Sequence, residues 1–148
     1  MTDTAHRPGH RLALADVTEA PLDITAHEKL VGDRAAGAVV SFAGVVRDHD
    51  GGRVVEDLEY VGHPSAGAVL AEIAAEFAAM EHVEAVAVSH RVGKLEIGDT
   101  ALACAISTAH RAEAFALCAR LVDEVKHRLP IWKRQVFACG TEEWVDCP

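Results

Sequence analysis

The residues whose types could do chemistry are basic ones. The densest group is the run from Lys126 to Arg134 (KHRLPIWKR), in which Lys126, Arg128, Lys133 and Arg134 surround a proline and a tryptophan. Arg47, His110 and Arg111 extend the set from elsewhere in the chain. Lysines and arginines that converge suit an anion, or a reaction that develops negative charge. Crowding among cations and partial burial both disfavour a charged ammonium. A lysine in such a group can therefore serve as base, acid or nucleophile, which an arginine cannot. A plainer role is also open: Lys and Arg complement the negative end of a helix and otherwise stay in water.

The overall composition makes the basic run more informative. The chain has 148 residues, 14 Lys+Arg against 23 Asp+Glu, and a net charge of −9. General nucleic-acid binding needs a broad basic footprint, so any anion site here must be local. Half the residues are apolar, which excludes a disordered chain and supplies one core. The expected organisation is a flexible tail over residues 1–10 followed by a single domain over 11–148. The cysteines, Cys104, Cys118, Cys139 and Cys147, show no C-x-x-C spacing and read as reduced thiols. The N-terminal residues lack the apolar core of a signal peptide, and the uncharged apolar stretch from Ala35 to Val46 is too short to span a bilayer. A soluble, cytoplasmic protein with no membrane association is expected. No dinucleotide, Walker, zincin or nucleophile-elbow motif occurs, and the histidines are scattered, so neither a cofactor nor a metal is expected.

Elements must bring these residues together. Arg11–Thr18 alternates apolar and polar positions as a strand does, and a short helix follows with Thr25 as N-cap and Glu28 completing a capping box. His27 on that helix is read as a surface residue. Gly37–Arg47 is rich in Val and predicts a buried strand with a bulge at Gly44. Asp48-His-Asp-Gly-Gly52 predicts a tight turn, after which Val54–Val61 returns as the partner strand. Arg47 then stands at a strand end, either as a hairpin charge in water or as an anion clamp. Ser65 opens an amphipathic helix running to about Met80, and strands follow over Val83–Val92 and Thr100–Thr108. The last helix starts after Thr108 as N-cap and carries an apolar stripe of Phe115, Cys118, Val122, Val125 and Leu129.

His110 and Arg111 fall in the first turn of that helix. An arginine there opposes the helix dipole, while the free N–H groups favour an anion, so a contact beyond stability is indicated. Lys126 lies about four turns further on at 3.6 residues per turn. A single site using both helix ends therefore needs a second subunit. Pro130 ends the helix and turns the chain, and short strands are predicted over Gln135–Ala138 and Glu142–Val145. Hairpins without regular βαβ crossovers give an α+β class.

Phe42-Ala-Gly-Val-Val-Arg47, Ser107-Thr-Ala-His-Arg111 and Pro130-Ile-Trp-Lys-Arg134, together with the run from His90 to Asp99 (HRVGKLEIGD), resemble the catalytic (large) subunit family of molybdopterin synthase in order and spacing. The resemblance covers roughly Gly37 to Val145. It implies a single-domain α/β-hammerhead with a mixed sheet and two main helices, and a homodimer that binds a small ubiquitin-like sulfur-carrier subunit at each end, as a heterotetramer. The carrier's C-terminal Gly-Gly thiocarboxylate would supply sulfur to cyclic pyranopterin monophosphate, forming the dithiolene of molybdopterin. Lys126 and Lys133 would be catalytic. Val45, Val46, Arg47, His110, Arg111, Lys126, Lys133, Arg134 and Gln135 would bind substrate, with His110 and Arg111 from the other subunit. Gln135 departs from the acidic residue common in relatives, so a carboxylate role is absent at that position.

Other readings stay open on the residues alone. An anion-binding scaffold would keep Arg47 and Arg111 but need neither lysine. A Schiff-base enzyme would use one lysine on a carbonyl substrate, and a purely structural dimer would leave the local cationic run unexplained.

Overall fold

The computed structural model describes residues 10–147. The tail expected over residues 1–10 lies outside them except for His10, whose N–H donates to the Val83 carbonyl at 3.1 Å. The chain runs β1 (Arg11–Thr18), α1 (Ile24–Leu30), β2 (Ala38–Val45), β3 (His49–Asp50), β4 (Arg53–Gly62), α2 (Ala66–Ala78), β5 (Val83–Arg91), β6 (Gly93–Leu95), β7 (Thr100–Thr108), α3 (Arg111–Arg128), β8 (Ile131–Phe137) and β9 (Glu142–Cys147). One sheet has the order β1-β5-β7-β2, with β1 parallel to β5 and the other pairs antiparallel. The second has the order β3-β4-β8-β9, with β6 also on β4, and is antiparallel throughout. This is the expected α+β hammerhead with two main helices, α2 and α3, and the short α1 as a third.

Residue size decides which face of the first sheet each helix takes. On β5 and β7 the larger residues Val86, Val88, Leu102, Cys104 and Ile106 join the main core with α2 and α3, including Leu70, Phe77, Leu121 and Val125. Ala85, Ala87 and Ala105 face the other way and make a thin second cluster with Val31, next to α1. Full burial of a Leu, Ile or Phe side chain is worth roughly 1.5–3 kcal/mol, so the α2/α3 face carries most of the stabilisation.

Several local expectations are corrected. Asp23, not Thr25, caps α1: its Oδ1 accepts from Thr25 N (3.0 Å) and Ala26 N (3.3 Å). Glu28 instead accepts from the Ser41 hydroxyl at 2.6 Å, which ties α1 to β2. His27 is buried rather than superficial, because Nδ1 meets the Asp23 carbonyl (2.7 Å) and Nε2 meets the Ser89 hydroxyl (2.8 Å). The carbonyl can only accept, so Nδ1 carries the proton and Nε2 accepts from Ser89.

The partner of β2 is β7, not β4. The glycine turn closes the smaller β3–β4 hairpin, where Asp50 pairs with Arg53 across Gly51 (φ 57°) and Gly52 (φ 78°). Two consecutive positive φ angles fit a two-residue hairpin loop and explain the glycine pair. The bulge anticipated at Gly44 is present as a register shift between Gly44 and Val45. Ser65 precedes α2 without a side-chain cap, its hydroxyl engaged with His63 Nδ1 at 2.8 Å. At α3 the N-cap is His110, while the Thr108 hydroxyl donates to the His110 carbonyl at 2.5 Å. Phe115 leaves the expected core stripe and is 63% exposed; the buried face of α3 instead runs through Ala114, Cys118, Leu121, Val122 and Val125. β8 begins at Ile131, directly after Pro130, and is longer than expected because it is a central strand paired on both sides by β4 and β9.

Candidate active site

The C-terminal end of α3 and the start of β8 meet over a cavity of about 160 Å³. Leu129 closes the helix with its N–H on the Val125 carbonyl (3.0 Å), and Pro130 presents its carbonyl to His63 N at 2.9 Å. Arg128 is drawn out of the basic run by structure. Its guanidinium forks onto both carboxylate oxygens of Glu76 on α2, at 2.7 and 2.8 Å. That two-point contact fixes the end of α3 against α2. Lys126, one helical turn or less before it, and Lys133, across the proline turn, both line the cavity.

Alternation along β8 separates the rest. Ile131, Lys133, Gln135 and Phe137 occupy one face, on which Ile131, Gln135 and Phe137 are buried. Arg134 lies on the opposite face, where its guanidinium meets Glu142 at 3.2 Å, Glu59 at 3.8 Å and Asp57 at 4.0 Å. Lys133 and Gln135 are thus brought to the cavity, and Arg134 is not.

The end of β2 forms the opposite wall. Val45, Val46 and Arg47 all line the cavity. Val46 N–H donates to the Asp99 carbonyl (2.9 Å), and Gly98 N–H donates back to the Val46 carbonyl (2.8 Å). Asp99 is itself held by Arg91 at 3.1 Å. The run from His90 to Asp99 therefore pins the strand end from which Arg47 projects. His110 and Arg111 are exposed at the other end of α3. Fifteen residues at 1.5 Å each separate Arg111 from Lys126 by roughly 22 Å, so within one chain they do not share the cavity.

Three polar lining residues were not singled out as site residues by the sequence: Asp50, Tyr60 and His90. Asp50 brings a carboxylate into the cationic cavity. Its Oδ2 accepts from Gln135 Nε2 at 2.9 Å, and Oδ1 lies 3.5 Å from Arg47. The Gln135 hydrogen bond, then the charges of Lys133, Arg47 and Arg53, hold its carboxyl below the usual range. The carboxylate missing at position 135 is thus supplied from the hairpin, a contact that no sequence spacing announces.

His90 is fully buried, with Tyr60 edge-on at 5.0 Å between ring centroids. Its Nδ1 donates to the Arg91 carbonyl at 2.7 Å, which leaves Nε2 as the unprotonated nitrogen, and Nε2 has no hydrogen-bond partner among the described residues. Burial pushes the imidazole down to about 4, with the Lys126 charge adding to the effect. A lone histidine in the apolar run of β5 gives no signal in the sequence beyond its residue type. Cys104 and Cys118 are buried core thiols, raised by burial, and neither lines the cavity. Among the described residues, no group of three His, Cys, Asp or Glu side chains is placed to hold a metal ion.

What the arrangement offers is two lysines, an arginine and an amide donor around a small, partly polar cavity, in a two-sheet α+β frame. That combination is a cationic cavity in a fold of the α/β-hammerhead class. The structure of molybdopterin synthase from Staphylococcus aureus matches it with a TM-score of 0.79 and 30% identity, covering 89% of this chain and 96% of that one. The molybdopterin synthase catalytic subunit of Nostoc sp. is 40% identical over 131 residues, 87% of this chain and 79% of the relative. That of Bacillus subtilis is 34% identical over 131 residues, 88% of this chain and 83% of the relative. The model of the MoaE protein family matches residues 17–128. The chain belongs to the MoaE family.

Proposed function

We infer that this chain is the catalytic subunit of a molybdopterin synthase, a sulfurtransferase of molybdenum cofactor biosynthesis. Its substrate is cyclic pyranopterin monophosphate, and its sulfur comes from the thiocarboxylated Gly-Gly terminus of a small ubiquitin-like carrier subunit. Two sulfurs are added to form the dithiolene. The observation that carries this reading is the convergence of Lys126 and Lys133 with Arg47 on one cavity in a chain of this family.

In this reading Lys126 and Lys133 orient the thiocarboxylate and move protons as sulfur adds and oxygen leaves, while Arg47 and Gln135 bind anionic oxygens. Val45 and Val46 offer the substrate a strand end. His110 and Arg111 act on the cavity of a neighbouring large subunit, since roughly 22 Å of helix separates Arg111 from Lys126 in its own chain. That requirement supports a homodimer, and with one carrier at each end, a heterotetramer. Arg134 enters as a brace: its pairs with Glu142 and Glu59 hold the strand that carries Lys133. We infer that the reaction runs in the cytoplasm, a reading supported by Cys104, Cys118 and Cys139 being free thiols.

The test uses Lys126→Ala and Lys133→Ala with thiocarboxylated carrier and cyclic pyranopterin monophosphate. Loss of a positioned acid–base group costs roughly 10²- to 10⁴-fold in turnover. Full turnover by both variants would sink the assignment.

A further inference from the structure

The carboxylate at the cavity sits between a buried donor and an exposed one. Gln135 is 2% exposed on β8, a strand paired on both sides, and a buried amide donor there must keep an acceptor. Asp50, its acceptor at 2.9 Å, belongs to the two-residue strand of the β3–β4 hairpin, and its side chain is 32% exposed. Arg47 approaches the other carboxylate oxygen from 69% exposure at 3.5 Å, a long and weak contact. Lys133 lines the same cavity and adds its charge. A planar, two-oxygen anion held by an amide N–H and a guanidinium, with an ammonium on the same cavity, is the pattern that the C-terminal carboxylate of a peptide presents. The chain has built that anion into its own site.

We propose that Asp50 is a resident competitor anion, which occupies the Gln135 and Arg47 donors beside Lys133 and must yield them when a C-terminal carboxylate or thiocarboxylate enters. Asp50 thereby sets specificity. An incoming anion gains the donors only against the charge already there, so it must bring further contacts, as a tail anchored by a folded carrier does. The identity of that tail rests on the sulfur-transfer reading above; competition with anions in general does not.

The experiment is calorimetric titration of the full chain and of Asp50→Asn with three probes: inorganic phosphate, a short peptide ending in Gly-Gly with a free carboxylate, and the same peptide as its C-terminal amide. Asp50→Asn removes the competing charge and leaves Gln135 a neutral partner. Phosphate and the carboxylate peptide are expected to bind roughly tenfold more tightly to Asp50→Asn, the lower end of what one neighbouring charge does to an ionic equilibrium. The amide peptide is expected to bind both proteins alike. Adding Gln135→Met to Asp50→Asn should reduce the gain, because one of the contested donors is gone while Arg47 remains. Equal or weaker binding of both anions by Asp50→Asn overturns the proposal and makes Asp50 a structural partner of Gln135. Tightening of phosphate without tightening of the peptide upholds the competition and counts against the carrier tail as ligand.

Discussion

His90 gives the protein a stability that depends on its imidazole staying neutral. The ring is fully buried beside Tyr60 and the Lys126 charge, and these surroundings bring it from an ordinary 6.5 to about 4. A histidine lowered in the folded state binds fewer protons there than in the unfolded chain between those two values. Stability therefore rises with pH across that window, is complete above about 6.5, and is lost as pH falls toward 4. A pKa difference between folded and unfolded chains is worth about 1.4 kcal/mol per pH unit, so at pH 4 His90 alone withdraws roughly 3 kcal/mol. That is a large fraction of the roughly 5–15 kcal/mol that holds a domain together. Urea unfolding followed by circular dichroism at pH 7, 5.5 and 4 reads this directly. His90→Asn, which keeps a side-chain donor for the Arg91 carbonyl but cannot ionise, should start less stable at pH 7 and lose roughly 3 kcal/mol less between pH 7 and 4 than the wild type. Parallel losses in the two proteins would rule out His90 as the source of this pH dependence, because every other titrating group is common to both.

Other predictions rest on single contacts. Asp23→Ala removes the side-chain cap of α1 and should cost about 1 kcal/mol by urea unfolding, whereas Thr25→Ala should leave the cap intact. Gly37→Ala would place a Cβ 2.5 Å from the Ala109 carbonyl oxygen, so the backbone just before His110 must shift. A loss of roughly 1–3 kcal/mol is expected, together with altered amide shifts at the start of α3.

Much of the frame was legible because period and punctuation agree with it. Strand residues at β5 and β7, the helical spacing of Leu70, Ile73 and Phe77, and the stop at Pro130 all act locally. What was not legible depends on pairing at long range. The hairpin signal at Gly51 and Gly52 was real, but it closes β3 onto β4, while β2 takes β7 some sixty residues away. Likewise His27 reads as a surface residue until Ser89 is brought to it across the sheet.

The same division holds at the site. The lysines flank a proline that folds one toward the other, so their convergence follows from neighbouring residues. Asp50 and Gln135 are 85 positions apart in sequence, and their 2.9 Å contact exists only because β4 lies between β3 and β8. Arg134 shows the limit in reverse. It is adjacent to Lys133 in sequence, yet strand alternation sends it to the other face and into an acidic cluster.

The most direct measurement of the central claim is chemical. The purified chain, mixed with authentic thiocarboxylated carrier and cyclic pyranopterin monophosphate, is assayed for the dithiolene of molybdopterin. Product is expected that depends on the thiocarboxylate and is lost when both Lys126 and Lys133 are replaced by alanine. Absence of dithiolene with correctly paired, active components, or undiminished product from the doubly substituted chain, would contradict the claim.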